Sequence, residues 1–255
     1  MLDGAKRWIG LASLADVAVV WARVEDPSTG SGTDPSTGSG TDPSTGSGTG
    51  AAVRGFLVPT STAGFTATPI EGKLSMRASV QCDIDLDGVR VPADAILPGA
   101  EGLRGPFACL NEARYGIIWG AMGAARDAYE AALAYALDRR QFGKPIASFQ
   151  LTQEKLVDMV LEIQKGLLVA LHIGRMKDAG TLVPEQISFG KLNNVRTAIA
   201  IARQARTIFG GNGVALEYSP MRHANNLEGV RTYEGTDEIH ILIMGRAITG
   251  IPAFT

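Results

Sequence analysis

Glu234 stands between Tyr233 and Gly235 in "RTYEGTDEIH", residues 231–240. It lies outside the helical pattern that begins just after it, where Thr236 and two acids open a helix. A helix start that already holds Asp and Glu needs no further negative charge. Two readings are open. Glu234 is either a solvated turn residue or a base, with the aromatic neighbour excluding water and the glycine leaving room for a ligand. Two other stretches carry chemistry. In "DRRQFGKPIASFQ", residues 138–150, a basic pair meets an aromatic, a Gly and a Pro. It reads as a helix end with cations against its dipole and then a turn, or as arginines aimed at a phosphate. "FGGNG", residues 209–213, closes a helix. Its glycines read as a C-cap, or as backbone N–H groups open to a ligand's phosphates. It follows a helix and not a strand, so it is no dinucleotide-binding fingerprint.

Long helices must position these residues. Past residue 105, Leu110, Ile117, Ile118, Met122, Ala125, Tyr129, Ala132 and Leu133 recur at three and four, which predicts one long helix. A second runs from about Phe149 to Asp178. Its polar stripe of Lys155, Asp158, Glu162, Lys165 and His172 is narrow, so it is expected to be buried on more than one side, as in a bundle. Gly180 ends it. Pro184 and Glu185 open a third helix that reaches Phe209, with Leu192, Val195, Ile199 and Ala202 inward, and a fourth begins near Thr236. Upstream the chain reads as strands: "DVAVVWARV", "VRGFLVPT", "GFTATPI" and "ASVQCDIDLDGVRVP", with Asp87-Gly88 as a hairpin turn. The expected class is α+β. A β domain of barrel or sandwich type spans residues 1–103, and a four-helix bundle spans residues 104–255.

Lys6 and Arg7 before "WIGLASLADVAVVWA" imitate a signal peptide, but Asp16 interrupts the apolar run, which is read as β structure and not as a membrane span. Residues 26–49 are three copies of "DPSTGSGT" without an apolar side chain, expected to be an inert loop insertion between two strands. Lengthening such a loop from about four to about 28 residues costs only about 1.7 kcal/mol in closure entropy. With 24 Lys+Arg against 26 Asp+Glu, no basic excess exists to displace counterions, so nucleic acid is not an expected partner. Cys82 and Cys109 make no disulfide framework, and three scattered histidines make no metal site.

Taken in order, the motifs resemble the acyl-CoA dehydrogenases, most closely the glutaryl-CoA dehydrogenase branch. The matching words are "GAKRWIG", "RGFLVP", "KLSMRAS", "LNEARYGIIWGAMGAA", "RRQFGKPI", "GGNG", "RHANNLE", "TYEGTDEIH" and "ITGIPAF". The resemblance implies a flavoprotein that holds FAD between subunits of a homotetramer (a dimer of dimers). It implies α,β-dehydrogenation of an acyl-CoA thioester, with electrons passed to electron-transfer flavoprotein. For the glutaryl branch it adds decarboxylation to crotonyl-CoA in lysine and tryptophan degradation. The implied location is cytoplasmic, or the mitochondrial matrix in a eukaryote. On this resemblance Glu234 is the catalytic base, and Trp8, Arg139, Gln150, Thr207, Ile208, Phe209, Gly210, Gly211 and Thr236 contact FAD. Phe107, Leu110, Asn111, Arg114, Tyr233 and Gly235 line the substrate site. Some relatives carry the base at the position of Ala113; the adjacent Glu112 is expected to face elsewhere.

The chain also departs from the family pattern. Gly10 and Thr207 stand where many relatives have a hydroxyl residue and a Gln. The family's N-terminal helical domain has no counterpart before Met1, which implies a fragment or truncated product with weakened FAD binding. The alternatives are a dehydrogenase for another short or branched acyl-CoA, and an inactive remnant or assembly module of the same fold.

Overall fold

The computed structural model describes residues 1–24 and 52–253. The expected loop insertion at residues 26–49 lies outside them. The chain divides into two compact units, Met1–Lys73 with Arg77–Cys109, and Leu74–Met76 with Leu110–Ala253.

Among the described residues, the first unit holds six strands: β1 (Leu2–Gly10), β2 (Val17–Val24), β3 (Ala52–Pro59), β4 (Phe65–Pro69), β5 (Gln81–Val89) and β6 (Ile96–Glu101). They form two three-stranded sheets, ordered β1-β5-β4 and β2-β3-β6. Strands β2 and β3 pair antiparallel from Val17 opposite Pro59 to Val24 opposite Ala52. Val20, Phe56 and Val58 from one sheet share a core with Leu2, Cys82, Ile84, Leu86 and Val89 from the other, which makes the unit sandwich-like. The Asp87-Gly88 expectation is corrected here. This pair turns no hairpin; it lies inside β5 as a bulge against β1, where Leu2 faces Val89 but Gly4 faces Leu86. Gly88 takes a φ of 59°, and its N–H donates to Asp3 Oδ1 at 2.7 Å. The extra residue shifts the inward phase from Cys82, Ile84 and Leu86 to Val89, keeping an apolar residue in the core on both sides of the bulge.

The helices are α1 (Arg104–Asp138), α2 (Gln150–Asp178), α3 (Pro184–Ile208), α4 (Ser219–Thr232) and α5 (Asp237–Thr249). The α+β order expected from sequence holds. The helix α4 adds a fifth to the four read from the sequence. It is polar on most sides and buries only Pro220, Ala224 and Leu227, too thin a stripe to stand out. On α1 the inward stripe is mostly alanine (Ala121, Ala125, Ala128, Ala132 and Ala136), which lets neighbouring helices approach closely. The helix α3 is the central one, packing on α2, α4 and α5. Its buried Asn194 donates to the carbonyls of Ile118 in α1 and Gly166 in α2, both at 3.0 Å. One side chain thus ties three helices together.

One helix differs from expectation. α2 buries a single face, with Leu156, Met159, Ile163, Ala170 and Ile173 inward, while Leu151, Val157, Leu161 and Leu168 stay exposed. The second apolar face that the sequence carries finds no cover within the described chain.

Candidate active site

Four residues join α4 to α5. Tyr233 caps α4; Glu234 and Gly235 follow at φ 56° and 96°, and Thr236 caps α5 by accepting from the Ile239 N–H at 3.5 Å. A left-handed Glu is uncommon and strained by about 1–2 kcal/mol. Two cations from distant helices hold it. Arg114 of α1, itself buried, donates from Nε to the Glu234 carbonyl at 2.7 Å and from Nη1 to Asn111 Oδ1 at 3.3 Å. Lys191 of α3, 1% exposed, donates to the carbonyls on either side, those of Tyr233 and, at 2.6 Å, of Gly235. Three successive carbonyls therefore point at positive charge. Only glycine suits position 235: a Cβ there would meet His240 Nε2 at 3.1 Å and Arg114 Nη2 at 3.2 Å.

The Glu234 side chain is half-buried, and its Oε2 is buried without a hydrogen-bond partner. Burial raises its pKa above the ordinary carboxylate value, with Lys191 and Arg114 opposing. Burial likewise pushes the Lys191 ammonium down to about 8; Arg114 adds to the fall, and Glu234 and Asp237 oppose it. His240 is pushed down to about 4, first by burial and then by the two cations, so it is a neutral ring. Neither of its nitrogens has a well-formed partner, the Gly235 backbone offering only a marginal contact. Burial and then Glu234 raise the Tyr233 phenol, which stays protonated. Asp237, 4% exposed, opens α5 with Oδ2 held by Arg196 Nε at 2.8 Å and Arg231 Nε at 2.7 Å. Such a turn suits a carboxylate that acts as a base with a proton affinity raised above that of a solvated acid.

Of the residues expected to form the substrate site, Asn111, Arg114, Tyr233 and Gly235 thus converge on Glu234. Leu110 is half-buried on the same helix as Arg114, and Phe107, 37% exposed, lies in the first turns of α1 within the β unit. Ala113 is exposed, and Glu112 points away to Lys177 at 2.5 Å, as expected. A second locus lies at the other end of α3, a cavity of about 200 Å³ lined by Tyr135, Arg139, Gln141, Ile146 and Ile208 to Asn212. It collects Arg139, Ile208, Phe209, Gly210 and Gly211 of the expected set, but neither Gln150 nor Thr207 is among its lining residues. Gln150 is exposed as the first residue of α2, and the Thr207 hydroxyl is occupied by the Gln204 carbonyl at 2.6 Å. Phe209 stacks obliquely on Tyr135 at 4.5 Å and on Tyr218 at 4.8 Å, giving that cavity a rigid aromatic side. The basic motif beside it folds as a small hairpin, β7 (Arg140–Gln141) and β8 (Lys144–Pro145), turned by Phe142 and Gly143 at φ 51° and 78°. Trp8 is 56% exposed on β1 at φ 65°.

Residues 100–249 match the family model described as the acyl-CoA dehydrogenase C-terminal domain. The chain belongs to the acyl-CoA dehydrogenase family. It is 30% identical over 249 residues to a probable short/branched chain specific acyl-CoA dehydrogenase of Dictyostelium discoideum, covering 97% of this chain and 55% of that one. It superposes on a crystal structure of glutaryl-CoA dehydrogenase from Mycobacterium smegmatis with TM-score 0.87 and 56% identity, over 100% of this chain and 59% of that one. A second structure of that enzyme, in complex with FADH2, gives TM-score 0.88 and 55% identity, again covering 59% of its chain. The chain thus spans a little over half the length of these relatives.

Within this family setting, three residues of the turn's environment escaped the sequence reading: Lys191, Asp237 and His240. Lys191 did leave a trace. It lies in register with Ile187, Asn194, Val195 and Ala198 on the buried face of α3, where a lysine has no place unless something accepts its protons. Asp237 and His240, one turn apart on α5, look like an ordinary first turn and a lone histidine until their burial is known.

Proposed function

We propose that this chain carries the proton-abstracting and flavin-contacting portion of an FAD-dependent acyl-CoA dehydrogenase that acts on glutaryl-CoA. The observation that carries the reading is Glu234. It is a strained carboxylate residue with one oxygen buried and unpartnered, beside two buried cations. A turn that served only to connect two helices has no need of such a group.

In this reading Glu234 removes the proton from the carbon next to the thioester. Its raised pKa makes it a stronger base than a solvated carboxylate, while Lys191 and Arg114 keep it from staying protonated. Tyr233, neutral beside it, helps exclude water, and Gly235 leaves space over the carboxylate. The Glu234 N–H has no acceptor among the described residues, so it is available to the thioester oxygen, where charge gathers as the proton leaves. Bound FAD supplies the two-electron oxidising power that completes the dehydrogenation.

The residues present fit FAD. Arg139 is exposed, with no carboxylate in ion-pair reach among the described residues, and it shares a cavity with Gly210 and Gly211, whose missing side chains leave open space. A free guanidinium beside bare backbone suits a phosphate-bearing ligand. A cavity of about 200 Å³ encloses only part of a dinucleotide, in keeping with a cofactor shared between subunits of a homotetramer. The glutaryl assignment rests on the 56% identity to the Mycobacterium smegmatis enzyme, against 30% for the short/branched chain relative. It brings with it decarboxylation to crotonyl-CoA and electron delivery to electron-transfer flavoprotein.

The test is to purify the chain with FAD and add glutaryl-CoA anaerobically. Flavin absorbance should bleach, and Glu234→Gln should slow the bleaching by roughly 10²–10⁴-fold. Retained flavin that glutaryl-CoA leaves unbleached in both proteins would overturn the assignment.

A further inference from the structure

Lys191 is the most deeply placed cation of the described chain: a full-length lysine, 1% exposed, at the centre of α3. Burying an ammonium costs several kcal/mol unless its protons are accepted. Nothing about packing α3 against its neighbours requires a charge there, since the residues around it on the same face are Ile187, Gly190, Asn194 and Val195. Its hydrogen-bond partners are instead two backbone carbonyls, Tyr233 and Gly235, 42 and 44 residues away and flanking Glu234.

We propose that Lys191 is the positioning residue of the base: its ammonium grips the carbonyls before and after Glu234 and thereby holds that residue in the left-handed conformation that presents its carboxylate. This rests on the reading of Glu234 as the base and extends it to a residue that does not touch substrate. With the carbonyls of 233 and 235 turned inward to Lys191 and that of 234 turned inward to Arg114, the backbone has no freedom to relax towards an ordinary right-handed φ. Both partners of Lys191 are neutral, so its positive charge is not cancelled by an ion pair and acts through space on the carboxylate. The groups facing this charge are Arg114 on α1, Tyr233 and Glu234 in the turn, and Asp237 and His240 on α5, with Asp237 already held by Arg196 and Arg231. Removing Lys191 therefore takes away the grip and one of the two charges that favour ionised Glu234.

These two effects separate in two variants. Lys191→Gln keeps an N–H donor and loses the charge; Lys191→Met loses both. Two readouts that need neither flavin nor turnover are the pH titration of the Glu234 side-chain carboxyl carbon by NMR, assigned with Glu234→Gln, and amide hydrogen exchange at Tyr233 and His240, whose N–H groups donate to the Gly229 and Thr236 carbonyls at either end of the turn. Exchange at Ala198, buried in α3, serves as the reference for general loosening. In both variants the Glu234 midpoint should rise by about one pH unit, a tenfold change in proton affinity. In Lys191→Met, exchange at Tyr233 and His240 should accelerate at least about tenfold more than at Ala198, and Lys191→Gln should restore most of that protection. A Glu234 midpoint unchanged in either folded variant overturns the proposal. So does exchange at Ala198 that rises by the same factor as in the turn, since that is the behaviour of a merely structural lysine. If Lys191→Met does not fold, the Lys191→Gln titration alone decides. Absence of flavin bleaching in the unmutated chain would sink the functional reading and leave these NMR results standing, so the two failures are told apart.

Discussion

Acidification should unfold this protein partly through one imidazole. His240 is 1% exposed, beside Lys191 and Arg114, and burial together with those charges pushes its pKa down to about 4. In the unfolded chain a histidine titrates near 6.5. As pH falls, the unfolded state therefore takes up the proton first. The stability associated with the neutral ring is complete above about pH 6.5 and is lost as pH falls towards about 4. Over that span of about 2.5 units, at about 1.4 kcal/mol each and allowing for half-protonation at the lower end, the loss is roughly 3 kcal/mol. That is a large share of the 5–15 kcal/mol typical of a folded domain. Glu234 works the other way. Its raised folded pKa means that the native state holds a proton the unfolded chain has released, so it regains some stability as pH falls into the carboxylate range. The clean quantity is therefore a difference between proteins. His240→Leu removes the titrating ring and its two poorly partnered nitrogens while keeping an apolar side chain of similar bulk. Urea unfolding followed by helical circular dichroism, at half-unit steps from about pH 7 to about pH 4, should show wild type losing roughly 3 kcal/mol more than His240→Leu. Parallel curves for the two proteins would refute the assignment of a buried, neutral imidazole beside two cations.

Asn194→Leu should destabilise the helical unit by about 2 kcal/mol, since it deletes two buried hydrogen bonds at about 1 kcal/mol each, with thermal unfolding as the check. At the alkaline end, Lys191 loses its proton at about 8 in the native protein and near 10.5 when unfolded, so its contribution makes stability rise as pH goes from about 8 to about 10.5. Lys191→Met should abolish that rise in urea titrations across the same range.

Local chemistry carried much of the site in the sequence. Tyr233, Glu234, Gly235 and the Thr236 cap are contiguous, and a carboxylate between a ring and a glycine just before a helix start is legible without a structure. The periodic helices α1, α2 and α3 were equally legible, because each repeats an apolar stripe over more than twenty residues. The parts hidden from the sequence were those fixed by distant partners. Arg114 meets the turn across 120 residues of chain, and Lys191 across more than 40. Nothing in either residue's neighbourhood says that carbonyls will face it. Asp87-Gly88 shows the opposite failure. The dipeptide does adopt a left-handed glycine, but β1 continues to pair across it, so the same local preference makes a bulge instead of a chain reversal. Likewise the apolar excess of α2 was real, yet composition alone does not tell whether a face is covered by the same chain.

The residue at position 234 is itself informative. A turn needing φ near +56° is most cheaply made with Gly or Asn, and Glu there is strained by about 1–2 kcal/mol. Burying part of its carboxylate adds a further cost, seen in the raised pKa. The fold then places a buried lysine and a buried arginine against three consecutive carbonyls, each cation carrying its own desolvation penalty. A connection between two helices gains nothing from this stack of unfavourable terms. A Gly-Gly link would join α4 to α5 without strain, with no buried carboxyl oxygen and no need of Lys191. The arrangement makes physical sense only if the carboxylate itself is what the turn exists to present, and presents with its proton affinity set between that of a solvated acid and that of an isolated buried one.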